Sequence, residues 1–215
     1  MGRTVFRGYN RVKFQSEKLG KTVFCQSLLL RDYLLHLEWD ETVQSYELKP
    51  FKISIKLDGN RKTIQPHLLL NHPDKQPTIT WLKSAIDDES NHERTIKYLS
   101  NFLKTKRFDF TIVNADEIRR EPLISNLKFL RRYIRCEISF RDSLLCNEFF
   151  EGVSESVLGD LIRFFKGRNA HVQNAFALLS HKIIEADIHT NSINYELPIK
   201  LRQQFPNFTN GRLTI

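Results

Sequence analysis

The chain has 215 residues, of which 40% are hydrophobic and 27% charged, and its formal net charge is +8 at pH 7. This composition is typical of an ordinary globular protein with one large domain or two small ones. No apolar run approaches the roughly 18 residues of a membrane helix, and the first residues do not form a secretory signal, so the sequence predicts a cytoplasmic protein without a membrane partner.

Residues 1–24 form a basic N-terminal segment without a regular hydrophobic period. Between residues 1 and 22, Glu17 is the single acid, against the basic residues Arg3, Arg7, Arg11, Lys13, Lys18 and Lys21. Clustered positive charge of this kind suits a phosphate backbone. The sequence therefore predicts a mobile, DNA-facing arm over 1–24, with Arg11 and Lys13 as candidate phosphate contacts.

Residues 25–118 alternate between helical and strand patterns. Apolar residues at helical spacing predict helices over 26–39 and 87–106. Alternating or short apolar runs predict strands at 43–47, 51–57, 61–70, 78–82 and 108–113, and "FKISIKL" at 51–57 alternates apolar and basic residues in strict period two. A helix, a meander of about four strands, a second helix and a last strand predict an α/β domain with a mixed sheet.

Residues 119–215 have a different, mostly helical character. Helices are predicted over 122–134, 154–166 and 172–182, the second of them with an imperfect capping box at Ser154. Short strands follow within 183–188 and 193–199, which predicts a winged-helix-like module of the kind that docks on DNA or protein. Its first part is strongly basic, and we take Arg131, Arg132 and Arg135 as candidate DNA contacts.

The stretch "CQSLLLRDYLLHLEWDETVQSYELKPFKI", residues 25–53, resembles the TnsA family, the endonuclease subunit of heteromeric cut-and-paste transposases. The family reads E-S-x-L-E-R-D, then L-E-x-D-P, then Y-x-x-Q-P. The matching residues include Ser27, Arg31, Asp32, Leu37, Glu38, Asp40, Val43, Tyr46 and Pro50. The resemblance covers residues 25 to about 134 well and the remainder in outline. It implies a restriction-endonuclease-like N-terminal domain.

The family's catalytic positions are largely replaced in this chain. The resemblance implies a helix glutamate, a strand aspartate and a carboxylate or amide two residues before a lysine, arranged around Mg²⁺. Those positions hold Gln26, His67, Trp81 and Lys83, so only the lysine persists. No C-x-x-C pair and no histidine pair at metal spacing occurs elsewhere, and we predict no metal or other cofactor. Lys83 remains a candidate DNA contact.

The sequence thus favours a catalytically inactive TnsA-like subunit that binds double-stranded DNA at transposon ends. The resemblance implies two protein partners, a DDE-type transposase and a TnsC-like AAA+ regulator. Two alternatives stay open. One is an active Mg²⁺-dependent endonuclease that cuts 5′ strands with unusual ligands, and the other is a stand-alone DNA-binding regulator. Metal-dependent cleavage distinguishes the first alternative, and independence from a transposase distinguishes the second.

Overall fold

The computed structural model describes residues 12–57, 60–83, 89–202, 208–209 and 212–213. The chain divides into two compact units, Met1–Arg119 and Arg120–Ile215. The domain boundary predicted from the sequence, between residues 118 and 119, lies one residue before this division. Each unit contains its own set of buried apolar residues.

The first unit is a mixed α/β structure. Its described elements, in chain order, are β1 (Val12–Ser16), β2 (Lys21–Cys25), α1 (Leu28–Trp39), β3 (Ser45–Leu48), β4 (Ile53–Leu57), β5 (Asn60–Ile64), β6 (Leu68–Asn71), β7 (Thr78–Lys83), α2 (Glu89–Thr105), β8 (Asp109–Asn114) and α3 (Ala115–Ile118). Four strands form a sheet in the order β3-β6-β7-β8. The β7–β8 pair is parallel and the other two pairs are antiparallel, with α2 as the crossover. The predicted α/β class with a mixed sheet is confirmed.

The N-terminal segment is a hairpin from residue 12 onward, which corrects the prediction of an irregular, mobile arm for residues 12–24. The part of that prediction over 1–11 lies outside the described residues. Strands β1 and β2 pair antiparallel around a turn in which Gly20 has φ 61°. Phe14 and Ser16 are buried while Lys13 is exposed, so β1 does alternate. The many charged residues hid this period, because only one of the two buried side chains is apolar.

Helix α1 begins two residues later than its predicted start at residue 26. Ser27 is the N-cap, and its side chain accepts a hydrogen bond from the Leu30 N–H at 3.1 Å. The helix buries Leu30, Leu34 and Leu37, as its apolar spacing predicts. The Leu30 N–H lies in the first turn and has no carbonyl partner within the helix. The Ser27 hydroxyl takes the place of that partner, so the helix begins after Ser27.

Strands β4 and β5 form a separate antiparallel ribbon and do not join the four-stranded sheet. The sequence predicted one continuous meander. The ribbon is flanked by Pro50 and Pro66, which cannot donate ladder hydrogen bonds, and Lys49 has a left-handed φ of 52°. These breaks explain why the two arms leave the sheet between β3 and β6.

The second unit combines helices with a small sheet. Its described elements are α4 (Leu123–Leu130), α5 (Phe140–Phe150), β9 (Glu155–Val157), α6 (Leu158–Gly167), α7 (Gln173–Ser180), β10 (Ile184–Glu185), β11 (Pro198–Leu201), β12 (Phe208–Thr209) and β13 (Arg212–Leu213). Strands β10, β11 and β9 form an antiparallel sheet with β11 in the centre, and β12 pairs with β13. None of the described helices in either unit is long and apolar enough to cross a membrane.

Helix α5 was not predicted, and the predicted start of the next helix is wrong. A capping box begins α5, because the Ser139 hydroxyl accepts from the Asp142 N–H and the Asp142 carboxylate accepts from the Ser139 N–H. The imperfect box expected at Ser154 does not form. Residues 155–157 are a strand, and α6 begins at Leu158 after Val157, whose side chain provides no cap hydrogen bond.

Candidate functional site

The paired ends of β6 and β7 bring two of the predicted site residues together. The two strands run antiparallel with Leu68 opposite Thr80. His67, which immediately precedes β6, therefore lies next to Trp81. Lys83 is the last residue of β7. Positions 67, 81 and 83 thus share one end of the sheet.

The imidazole of His67 is held by the backbone of the neighbouring strand. Its Nδ1 accepts a hydrogen bond from the Leu82 N–H at 3.0 Å. A ring nitrogen that accepts a hydrogen bond carries no proton, so the neutral ring is protonated on Nε2. The lone pair of Nδ1 is then used by the Leu82 N–H, and Nε2 carries the proton and is a hydrogen-bond donor. In this arrangement His67 has no lone pair to offer a metal ion.

The indole of Trp81 occupies the position at which the family resemblance implies a metal ligand. Its ring centroid lies 5.0 Å from that of His67, with an edge-on interplanar angle of 74°. Trp81 also packs against a buried cluster that includes Ile79, Leu99 and Leu103. Indole has no oxygen ligand for Mg²⁺, so the residues at positions 67 and 81 do not fit this ion.

Of the other predicted site residues of the first unit, Lys83 lies on the same strand as Trp81, whereas Gln26 and Lys13 lie outside the four-stranded sheet. Gln26 is exposed and precedes the cap of α1, so it stands outside the helix. None of the described contacts connects Gln26 with His67 or Trp81. Lys83 is half-buried, and no acidic side chain of the described residues pairs with it. Lys13 is exposed on β1, while Arg11 lies outside the residues that the structure describes.

Glu38, a residue that matches the family motif, holds the β1–β2 turn in place. Its carboxylate accepts hydrogen bonds from the hydroxyls of Ser16 at 2.6 Å and Tyr46 at 2.7 Å. It also accepts from the backbone N–H groups of Glu17 at 3.0 Å and Lys18 at 3.1 Å. Burial raises the pKa of the Tyr46 hydroxyl above its ordinary value. The sequence did not reveal this role, because the turn lies some 20 residues before Glu38 in the chain.

The Arg-Asp pair of the motif also has a structural role. Asp32 is only 3% exposed. Its carboxylate lies 2.7 Å from the Arg31 guanidinium and 3.4 Å from that of Arg119, which follows α3. His36, one turn further along α1, is hydrogen-bonded through Nε2 to the Ile118 carbonyl at 2.7 Å. These contacts fasten α1 to the last helix of the first unit.

In the second unit, the three candidate arginines occupy the turn that follows α4. Arg131 is half-buried at the end of the helix, whereas Arg132 and Arg135 are exposed. The Arg132 guanidinium lies 5.9 Å above the centre of the Phe129 ring. These residues form a basic turn on the surface of the second unit, which we call the basic turn (131–135).

Helix α7 is almost completely enclosed by its own unit. Ala175, Ala177 and Leu178 have no exposed surface. The Phe176 ring packs at 5.1 Å from the ring of Phe129 on α4. The Ser180 hydroxyl donates to a backbone carbonyl of α4 at 3.1 Å. Of the residues of α7, only Gln173 is exposed, so the helix has no free face that could enter a DNA groove.

The segment 186–197 between β10 and β11 is held by a buried amide. Asn126 is 4% exposed, and its Nδ2 donates to the carbonyls of Ile188 at 2.8 Å and Asn191 at 2.7 Å. Its Oδ1 accepts from the Ile193 N–H at 3.0 Å. The amide nitrogen and the amide oxygen of Asn126 therefore both bind the backbone of the segment, which fixes the course of the loop.

The three cysteines of the chain are free thiols. Cys25 and Cys146 are fully buried, and Cys136 is half-buried. Burial raises the pKa of the Cys146 thiol to about 12, which leaves very little thiolate at neutral pH. Among the described residues, no group of three His, Cys, Asp or Glu side chains is placed to hold a metal ion.

A cleft of about 720 Å³ opens beside the small sheet of the second unit. Its apolar part includes Phe150, and its polar part includes Glu155, Glu185, Lys200 and Arg202. The Glu185 carboxylate lies 3.6 Å from both Lys200 Nζ and Arg202 Nε. Two acidic and two basic side chains therefore line the cleft.

The chain matches no protein-family model, and no curated protein is significantly similar to it. Two features of the described structure bear on function. One is the His67–Trp81 pair with Lys83 at one end of the sheet, and the other is the basic turn of the second unit.

Proposed function

We propose that this protein is a catalytically inactive, TnsA-like subunit of a DNA transposition complex. In this role it binds double-stranded DNA at transposon ends and assembles with a DDE-type transposase and a TnsC-like AAA+ regulator. The element order α1-β3-β6-β7-α2-β8, with one parallel strand pair, supports a restriction-endonuclease-like core. Fold alone does not establish activity, so the site residues decide the proposal.

The observation that carries the proposal is the contact between His67 and Trp81. In a nuclease core, the positions at adjacent ends of two such strands hold acidic metal ligands. Here the same adjacent positions hold an imidazole bound to the backbone and an indole packed into the core. The sheet is retained as a scaffold while its metal-binding chemistry is replaced by aromatic packing.

In this proposal, the second unit contacts DNA phosphates and partner proteins. Its order α5-β9-α6-α7-β10-β11, with β11 central, supports the proposed winged-helix-like module, in which α7 would take the place of a recognition helix. Because α7 is enclosed by its own unit, its side chains are not free to read bases. We assign DNA contact in this unit to phosphates at the basic turn (131–135).

The first test is strand-resolved cleavage of a labelled duplex carrying a transposon end, in Mg²⁺ and then in Mn²⁺. We expect no cleavage by the wild-type protein, together with DNA binding that weakens as salt is raised. Lys83→Ala is the matched variant. Cleavage that this variant abolishes would reject the proposal in favour of an active endonuclease with unusual ligands.

A second test addresses the partners. We expect the protein to co-elute with a DDE transposase subunit and a TnsC-like ATPase encoded beside it, and to bind transposon-end DNA more tightly in their presence. Equal DNA affinity with and without these proteins, and no co-elution, would instead indicate a stand-alone DNA-binding regulator.

A further inference from the structure

The β4–β5 ribbon has one buried face and one exposed face. On the inner face, Ile53 and Ile64 pair across the strands and belong to the core cluster of the first unit. On the outer face, Ser54 and Thr63 pair with each other and are both exposed. Packing of the inner face anchors the ribbon to the first unit, whereas the described outer face has no such packing role.

The outer face is basic and free of acids in the described part of the chain. Lys52 and Arg61 are exposed beside Ser54 and Thr63. No acidic side chain of the described residues pairs with either cation. The surrounding sequence from 49 to 67 contains a single acid, Asp58, against the basic residues Lys49, Lys52, Lys56, Arg61 and Lys62. The described outer face therefore presents the positive charges of Lys52 and Arg61 to the solvent.

We infer that the outer face of the β4–β5 ribbon is a phosphate-binding surface for duplex DNA. This inference rests on the proposed DNA-binding function and adds a contact element to it. Lys52 and Arg61 would neutralise phosphates, and the hydroxyls of Ser54 and Thr63 would donate hydrogen bonds to phosphate oxygens. Phosphate contacts position the duplex without selecting a sequence.

The geometry of the ribbon suits a repeating polyanion. Arg61 on β5 lies opposite Lys56 on β4, and Lys56 follows Lys52 by four residues in the chain. At about 3.4 Å per residue, the backbone positions of Lys52 and Arg61 are separated by about 14 Å along the ribbon, so the two cations suit different phosphates of one strand. The outer face carries no exposed large apolar side chain among its described residues, as a membrane-inserting surface would require.

The base of the ribbon is fixed and adjoins the His67–Trp81 pair. The Lys49 N–H donates to the His67 carbonyl at 3.0 Å, and the Gln65 side chain donates to the Lys49 carbonyl at 3.4 Å. The ribbon therefore leaves the sheet at the end where β7 terminates in Lys83. A duplex bound along the ribbon would run toward the part of the sheet where the family resemblance implies a scissile phosphate.

The test compares two double variants with the same loss of charge. Lys52→Gln/Arg61→Gln removes both cations of the outer face. Lys75→Gln/Lys106→Gln removes two exposed lysines near the opposite end of β7, beside Thr78 and Asp109. Affinity for a labelled duplex is measured over a series of salt concentrations, and thermal unfolding confirms that each variant is folded.

We expect the ribbon variant to reduce the slope of log K against log salt by about two units and the control variant to leave it nearly unchanged. The loss should be the same on transposon-end and unrelated duplexes, since phosphates carry no sequence. If the two variants have equal slopes, the ribbon surface is rejected. The proposed function is still upheld in that case, provided that the wild-type protein binds the duplex in a salt-sensitive way. Absence of salt-sensitive binding by the wild-type protein would reject both.

Discussion

The rings of His67 and Trp81 meet edge to face with their centroids 5.0 Å apart, where the adjacent strands β6 and β7 lie side by side. His67 is further held by the Leu82 N–H, and Trp81 by the core cluster around Leu99. Both side chains therefore stabilise the fold of the first unit. Replacement of either residue by a carboxylate or amide, as the proposed resemblance implies, would remove packing as well as add an oxygen ligand.

Trp81→Gln, which replaces the indole with an amide, should destabilise the first unit. We expect the free energy of unfolding to fall by about 2–4 kcal/mol, because the indole packs against a buried cluster that glutamine cannot fill. Urea denaturation measures the change. Tyr98→Gln on α2 is the control, since Tyr98 is 41% exposed and its loss should cost less than about 1 kcal/mol. Equal costs for the two variants would mean that Trp81 has no packing role.

Glu38→Ala should loosen the β1–β2 hairpin. The carboxylate accepts four hydrogen bonds, two of them from backbone N–H groups in the turn. We expect a loss of about 3 kcal/mol in unfolding free energy and faster amide hydrogen exchange over residues 12–25. Tyr46→Phe removes only one of the four bonds and should cost about 1 kcal/mol. Unchanged exchange in Glu38→Ala would show that the hairpin is held by its strand pairing alone.

The elements with clear hydrophobic periods were predictable from the sequence, and those without them were not. Helix α1 has apolar residues at helical spacing, and β4 alternates strictly, so both were identified. Helix α5 was missed because Phe140 is 49% and Leu144 51% exposed, so its apolar residues do not form one stripe.

The candidate site was predictable only as a set of positions. Spacing along the chain identified Lys83 and its neighbours, but it could not show that the Nδ1 of His67 is bound to the Leu82 N–H. That contact depends on the register between β6 and β7, and a shift of one residue would turn these side chains to the other face. Roles that depend on distant partners, such as that of Glu38, were likewise hidden.

Asn126→Asp should destabilise the second unit more than Asn126→Ala does. The amide donates to two carbonyls, and a carboxylate would instead place a negative charge against both oxygens. We expect a loss of about 2–3 kcal/mol for alanine and a larger loss for aspartate, measured by urea denaturation. Asn147→Asp on the exposed side of α5 is the control and should change stability by less than about 0.5 kcal/mol. A smaller effect for aspartate than for alanine at position 126 would contradict these hydrogen-bond directions.

Acidification should destabilise the second unit through His181. Burial lowers the pKa of this imidazole from its ordinary value of 6.5, and its ring nitrogen Nε2 lies 3.1 Å from the Cys136 carbonyl. As the pH falls below 6.5, the unfolded chain binds a proton that the folded protein does not, so the free energy of unfolding decreases. The decrease ends once the pH is below the lowered pKa of the folded state.

His181→Gln, which keeps an N–H donor but does not titrate, should therefore lose less stability than the wild type between about pH 7.5 and about pH 5.5. Urea denaturation at a series of pH values measures this difference. His171→Gln is the matched control, because His171 is exposed in the same unit. The control should follow the wild-type curve, because replacing the exposed His171 removes no buried side chain. If His181→Gln also followed that curve, the buried imidazole would not be the group that links acid to unfolding.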